Sequence, residues 1–332
     1  MKHRHENEQQ VHAGGTMKFG IVGAGAMGCL FGSFLAKQGE EVWLVDVWKE
    51  HVELINEKGL SVMIEGKSER IPIQATTNTH DVGRCDAVII ATKFRHTRDA
   101  VRNALNIIDE ETVVITLQNG IGNVETISEF VNKDQIVFGV TTLGSVVKGP
   151  GHIEATVTKV GQTYLWSVTG EPGKRVKSVI DACNRAGLDF SLTPDVKERI
   201  WRKLCLNAGL SVPCAIPRLE CGDYIEQPHS LELTRGLVQE IVAVAEHEGV
   251  NLDPEEMYEN VVNLARQSPN HRTSILMDVV NHRKTEIDCL NGAVVSRARK
   301  YGIKVPFNSV ISNIIRITED TYDKSIRRDP NG

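Results

Sequence analysis

The stretch Lys18-Phe19-Gly20-Ile21-Val22-Gly23-Ala24-Gly25-Ala26-Met27-Gly28 decides the fold. A β-branched apolar run ends in glycines and passes directly into helical periodicity. The pattern G-x-G-x-x-G therefore stands between a predicted strand and a predicted helix from about Ala26 to Gln38. Gly23 permits the tight turn, Gly25 leaves room for a pyrophosphate against the backbone, and Gly28 allows helix and strand to pack closely. With Ala24, Ala26 and Met27 between them, these residues are expected to hold a dinucleotide, because the helix N-terminus offers unpaired N–H groups and a positive dipole to phosphates. A glycine-rich turn without a ligand is the competing reading, but strand, helix, second strand and acid follow in the required order. The acid is Asp46, closing EVWLVD roughly 20 residues past the loop, where a carboxylate can accept hydrogen bonds from an adenosine ribose. It favours NAD over NADP, since a 2′-phosphate would set like charge against it. Lys49 softens that objection, and capping of the next helix is the alternative role for Asp46.

Outward from the loop the β–α alternation continues. A second helix ends near Gly59, and Leu60 to Ala75 reads as a hairpin turning at Glu65-Gly66. CDAVIIATK is a buried strand, HTRDAVRNALNII an amphipathic helix, TVVITLQNG a further strand and NVETISEFV a further helix. QIVFGVTTLGSVV, IEATVT and TYLWSV are expected to add strands to one side of the same sheet, turning at Gly149-Pro150-Gly151. A helix from about Lys174 to Ala186 and a strand near Asp189 to Leu192 complete a doubly wound, Rossmann-type α/β sheet. After Thr193-Pro194 only helical periods remain: VKERIWRKLCLNAGL, LELTRGLVQEIVAVAEHEG, PEEMYENVVNLARQ, TEIDCLNGAVVSRARKYG and NSVISNIIRITEDTYDK. The expected division is a disordered extension at 1–16, a dinucleotide-binding domain at 17–193, an all-helical domain at 194–325 and a tail at 326–332.

The 332 residues suffice for two such domains, and 41% hydrophobic with 24% charged residues is an ordinary globular balance. A net charge of -5 and only 5% aromatic residues argue against a nucleic-acid partner or an anionic membrane surface. No apolar run is long enough to span a bilayer. Seven scattered cysteines without a C-x-x-C pair suit a reducing cytoplasm, and no metal site is expected.

Four stretches in order, GAGAMG, the TK ending at Lys93, QNGIG at Gln118 to Gly122, and the pair WRKLCLN with KTEIDCLNG, resemble the ketopantoate reductases from Met17 to about Tyr322. The resemblance implies a Rossmann-type domain followed by an all-helical domain, a cleft between them, and NADPH-dependent reduction of the small 2-keto acid ketopantoate to pantoate in pantothenate and coenzyme A synthesis. It implies that Lys203 is the catalytic lysine, that Glu286 is a second functional acid, and that Asn119, Asn207 and Ser274 hold substrate. Lys93 and Asn119 would touch cofactor. Hydride delivered to a ketone leaves an alkoxide, so a cation with a proton at that oxygen lowers the barrier, and Lys203 and Asn207 share a helix face at i and i+4.

Each of these residues has a plainer role to set beside that one. Lys203 could be a surface lysine in a basic run, Glu286 one charge of a solvated helix face, Ser274 a cap, and Asn119-Gly120 an ordinary turn. The chain also departs from the family pattern twice. Ser211 stands where the family commonly has a substrate-binding asparagine, and Asp46 closes the strand where a basic residue often holds a 2′-phosphate. Another branched or hydroxylated 2-keto acid is therefore an alternative substrate, NAD an alternative cofactor, and a dinucleotide-binding regulator without turnover an alternative function. Sequence leaves a homodimer open.

Overall fold

The computed structural model describes residues 15–155 and 162–324. The extension at 1–14, the last three residues of IEATVT and the tail at 326–332 lie outside the described residues. Twelve strands are described: β1 Lys18–Val22, β2 Glu41–Val45, β3 Leu60–Ile64, β4 Lys67–Ile71, β5 Gln74–Thr76, β6 Ala87–Ile90, β7 Val113–Thr116, β8 Ile136–Thr141, β9 Ser145–Gly149, β10 His152–Ala155, β11 Thr163–Ser167 and β12 Phe190–Leu192. Helices α1 Ala26–Gln38, α2 Lys49–Lys58, α3 Thr97–Asn103, α4 Asn123–Ile127 and α5 Lys174–Arg185 lie among them. The main sheet runs β12-β11-β8-β7-β6-β1-β2-β5. Pairs from β5 to β8 are parallel, whereas β11 runs antiparallel to β8. Every residue of β6 and of β7 is buried, because separate apolar clusters cover the two faces of the sheet.

The segments after β8 do not all extend this sheet, as their sequence suggested. β9 and β10 leave it to join the β3–β4 hairpin in a second sheet of order β4-β3-β10-β9, which packs over α1. Only β11 returns beside β8. β9 has no buried residue and Ile153 alone of β10 is buried, so neither strand has the apolar character on both faces that the central strands β6 and β7 carry. His51 of α2 binds the excursion, its Nδ1 accepting the Gly151 N–H at 2.9 Å.

Beyond Leu192 the described chain is helical and encloses its own apolar cluster. It comprises α6 Val196–Leu206, a π turn over Asn207–Ser211, α7 Val212–Ala215, α8 Cys221–Ile225, α9 Pro228–His247, α10 Pro254–Gln267, α11 Ser274–Val280, α12 Asn291–Tyr301 and α13 Pro306–Asp320. The periodicity missed α7, α8 and α11, which have four, five and seven residues and are too short to show a clear helical period. It also read TEIDCLNGAVVSRARKYG as one helix. In the structure Ile287–Cys289 is a separate 3-10 turn, and α12 begins at Asn291. Thr285 explains the interruption: its hydroxyl accepts the Ile287 N–H at 3.2 Å and donates to Glu319 at 2.6 Å, tying the segment down before a helix can start.

Candidate active site

Strand register places the sheet side of the site. Val45, Val22, Ile90, Thr116 and Phe138 are aligned across β2, β1, β6, β7 and β8. Asp46 and Gly23 each follow the aligned level by one residue, and Lys93, Asn119 and Thr141 each follow it by three. Residues far apart in sequence thus converge on the carboxyl edge, where open α/β sheets bind ligands. A larger groove lined by Glu40, Lys58 and Arg70 lies at the opposite edge, against the C-terminal ends of α1 and α2.

The glycine loop fits a dinucleotide. Gly23 has φ 103°, and a Cβ there would lie 2.7 Å from the Thr92 nitrogen. A Cβ on Gly28 would lie 2.0 Å from the Gly23 oxygen, so only glycine lets α1 pack this close. At Gly25 a Cβ would meet nothing within 4 Å, which leaves the loop open on that face. No side chain caps α1 and no acid stands in its first turn, so its amides and positive end remain available to phosphate. Asp46 does not cap α2, whose N-cap is Trp48. Its Oδ2 accepts the Ala24 N–H at 2.8 Å and its Oδ1 the Trp48 N–H at 3.0 Å, which fixes the carboxylate beside the loop. Under the loop, Cys29 Sγ donates to the Ala24 carbonyl at 3.1 Å and lies 3.4 Å from His51 Nε2. Burial pushes the thiol pKa up and the imidazole pKa down, so this pair is a neutral support.

The opposite wall comes from the helical half. Lys203, in the last turn of α6, reaches across to the sheet, where its Nζ donates to the Thr141 carbonyl at 2.9 Å. Lys203, Asn207 and Asn119 line one small cleft with Gln118, Gly120 and Ile200. Desolvation pulls the Lys203 pKa down to about 8, and the charge of Glu286 opposes that fall. Glu286 is half-buried, and its Oε2 accepts from Asn119 Nδ2 at 3.4 Å, so a short chain of polar groups joins the two walls. The backbone reinforces it: the Ile121 N–H donates to the Cys289 carbonyl at 3.0 Å. Gly120 has φ 77°, and a Cβ on it would lie 2.1 Å from that same carbonyl oxygen.

Lys93 forms an ion pair with Asp278 of α11 and is thereby also held by the helical half. Arg283 donates to the same carboxylate at 3.0 Å. Ser211 ends the π turn, buried, its carbonyl accepting the Thr273 hydroxyl at 3.1 Å. Ser274 opens α11 on an exposed position, and Thr273, not Ser274, caps the helix by accepting the Leu276 N–H at 3.2 Å. The cleft lining formed with Lys203 includes neither serine. Asp278 and Thr141 were missed in the sequence. Asp278 had a signal, an acid among the buried positions of SILMDVV, whereas Thr141 acts through a carbonyl that any residue possesses.

A family model described as "Ketopantoate reductase PanE/ApbA" matches residues 19–168, and its C-terminal counterpart matches residues 195–319. Among curated proteins, the chain is 32% identical over 300 residues to a 2-dehydropantoate 2-reductase of Streptococcus pyogenes, covering 90% of this chain and 97% of that one. It is also 32% identical over 304 residues to one of Pyrococcus horikoshii, covering 91% and 98%. Among solved structures, a ternary complex of D-mandelate dehydrogenase with NADH and anilino(oxo)acetate superposes with a TM-score of 0.86 at 28% identity, covering 92% of this chain and all of that one. A PanE/ApbA family ketopantoate reductase from Ralstonia eutropha gives 0.85 at 27%, with the same coverage. Loop, cleft lysine and helical half thus occur together in a chain matched along nearly its whole length, and that chain belongs to the ketopantoate reductase family.

Proposed function

We propose that this oxidoreductase reduces the ketone of a short 2-keto acid, with 2-dehydropantoate (ketopantoate) as the first candidate and Lys203 as general acid. The observation that carries the reading is the half-buried Lys203 ammonium in a cleft shared with Asn119 and Asn207, its pKa drawn down to about 8. Residues 23–28 and Asp46 would hold a nicotinamide dinucleotide, which supplies the hydride when bound. Lys203 gives its proton to the carbonyl oxygen as charge develops there. Thr141 directs the ammonium by accepting one of its hydrogens. Glu286 keeps Lys203 charged against desolvation and orients Asn119. Asn119 and Asn207 donate to substrate oxygens, and Lys93 attracts the anionic ligands to the cleft mouth. Substrate positions are assigned to Ser211 and Ser274 on resemblance alone.

NADH is the favoured cofactor on the chain's own residues. The carboxylate of Asp46 is held beside the glycine loop by the Ala24 amide, which supports a role at the adenosine ribose, and the next residue, Val47, is 90% exposed and brings no positive charge for a 2′-phosphate. A second reading, in which another branched or hydroxylated 2-keto acid is preferred, draws on Ser211 and on the similarity to D-mandelate dehydrogenase. Side-by-side kinetics with NADH and NADPH against ketopantoate and a panel of 2-keto acids test both. Ketopantoate leading the panel in kcat/KM removes the second reading. No consumption of either cofactor with ketopantoate removes the first.

A further inference from the structure

The helical segment that brings Lys203 and Asn207 into the cleft changes to a π turn at Asn207, and the change has a cause in the sequence. Pro213 follows the run Asn207-Ala208-Gly209-Leu210-Ser211-Val212. In an α-helix the Ala208 carbonyl would accept from the Val212 N–H, but that N–H bonds to the Asn207 carbonyl one residue earlier, across the wider π turn. The donor that a continued π turn would offer Ala208 is the nitrogen of Pro213, which has no hydrogen. The Ala208 carbonyl, in a fully buried residue, is thus left without a donor from its own helix.

Asn291 supplies the donor. Its Nδ2 lies 3.0 Å from the Ala208 oxygen, and Asn291 is 0% exposed. The amide is itself held in orientation, because Nδ2 also donates to Asn308 Oδ1 at 3.0 Å. Asn308 Nδ2 donates in turn to Glu240 Oε2 at 2.7 Å, and the Glu240 carboxylate accepts the backbone N–H groups of Phe307 and Asn308 at the start of α13. A relay from the half-buried Glu240 carboxylate through two buried amides therefore ends on a carbonyl that the π turn frees. Asn291 is also the first residue of α12, five positions after Glu286. One side chain joins the segment bearing Glu286 to the helix bearing Lys203, Asn207 and Ser211.

We infer that Asn291 is a positioning residue: its amide stabilises the π turn at 207–211 and so sets where Asn207 faces relative to Lys203. This rests on the reading of Lys203 and Asn207 as the groups that meet the keto acid. Asn291→Asp tests it, since it keeps shape and replaces the donor by an oxygen facing the Ala208 carbonyl. The expected result is a 10- to 100-fold loss in kcat/KM for the keto acid, the scale of a small misplacement of reacting groups, with cofactor Kd unchanged. A crystal structure of the variant is expected to show residues 207–211 displaced. Ile315→Ala, a fully buried deletion in the same apolar cluster, serves as the control for mere destabilisation: it should lower Tm while leaving kcat/KM within twofold. Should Asn291→Asp fail to fold, Asn291→Ser carries the same readouts with a smaller loss. The inference is overturned if the folded variant keeps wild-type kcat/KM, or if its crystal structure retains the π turn unchanged. If the wild-type protein reduces no keto acid in the panel, the reading of the site falls instead, and the crystal structure still decides the role of Asn291.

Discussion

The two walls of the cleft are built by different physics. On the sheet side, parallel register brings Gly23, Asp46, Lys93, Asn119 and Thr141 to one edge, so their placement follows from where each strand stops. On the helical side, nothing so regular operates. Lys203 stands at the end of α6, Asn207 begins a π turn, and Glu286 lies in a segment held out of helix by Thr285 and Glu319. Away from the glycines of the loop, a sheet edge tolerates exchange of individual side chains because the backbone sets the geometry. The helical wall depends on particular hydrogen bonds, and substitutions there are expected to cost more.

Lys203→Ala should give the largest effect, since on the proposed mechanism it removes the proton source and leaves Glu286 without its countercharge. A fall in kcat of two to four decades is expected, with dinucleotide Kd nearly unchanged because the loop belongs to the other wall. Steady-state kinetics with a fluorescence titration of cofactor would check both halves of that statement. Comparable losses in kcat and in cofactor affinity would show that the walls are not separable.

Gly120→Ala strikes the seam between the walls. The added Cβ would sit 2.1 Å from the Cys289 oxygen, at a positive φ that itself costs an alanine about 1 kcal/mol or more. Either the loop bearing Asn119 or the turn after Glu286 must move. A loss of about 10²-fold in kcat/KM and a lowered Tm are expected, read by kinetics and a thermal melt. Asp46→Arg acts on the sheet edge alone. It should move the NADPH/NADH ratio of kcat/KM upward by roughly tenfold, the size of one favourable charged contact to a phosphate. An unchanged ratio would show that this carboxylate serves only the Ala24 and Trp48 amides.

The same division explains what could be read in the sequence. The glycine loop, the strand ends and Asp46 were legible because G-x-G-x-x-G and the strand period are local, and register then carries them to one edge. The excursion of β9 and β10 was not, because pairing partners of a half-exposed strand are decided by distant segments such as the β3–β4 hairpin. Lys203 and Glu286 were assigned through resemblance. Taken bare, a lysine in a basic run and an acid beside charged neighbours look like solvated surface. What draws Lys203 into the cleft is the approach of β8 to α6, a contact between residues 62 positions apart.

The smallest expected effect is a shift in pH dependence, and it bears most directly on the coupling between the walls. For keto-acid reduction Lys203 acts in its charged form, so with its pKa near 8 the kcat/KM should be level below that pH and fall about tenfold per unit above it. Oxidation of the hydroxy acid needs the neutral amine and should rise through the same pH. Burial lowers this pKa and the carboxylate of Glu286 raises it. Glu286→Gln deletes the opposing charge and keeps a group that can still meet Asn119, so the breakpoint should move to lower pH in both directions of reaction. A breakpoint unmoved by the substitution would mean that the charge of Glu286 does not reach Lys203 once ligands are bound, and that the two walls cooperate through the Gly120–Cys289 seam alone.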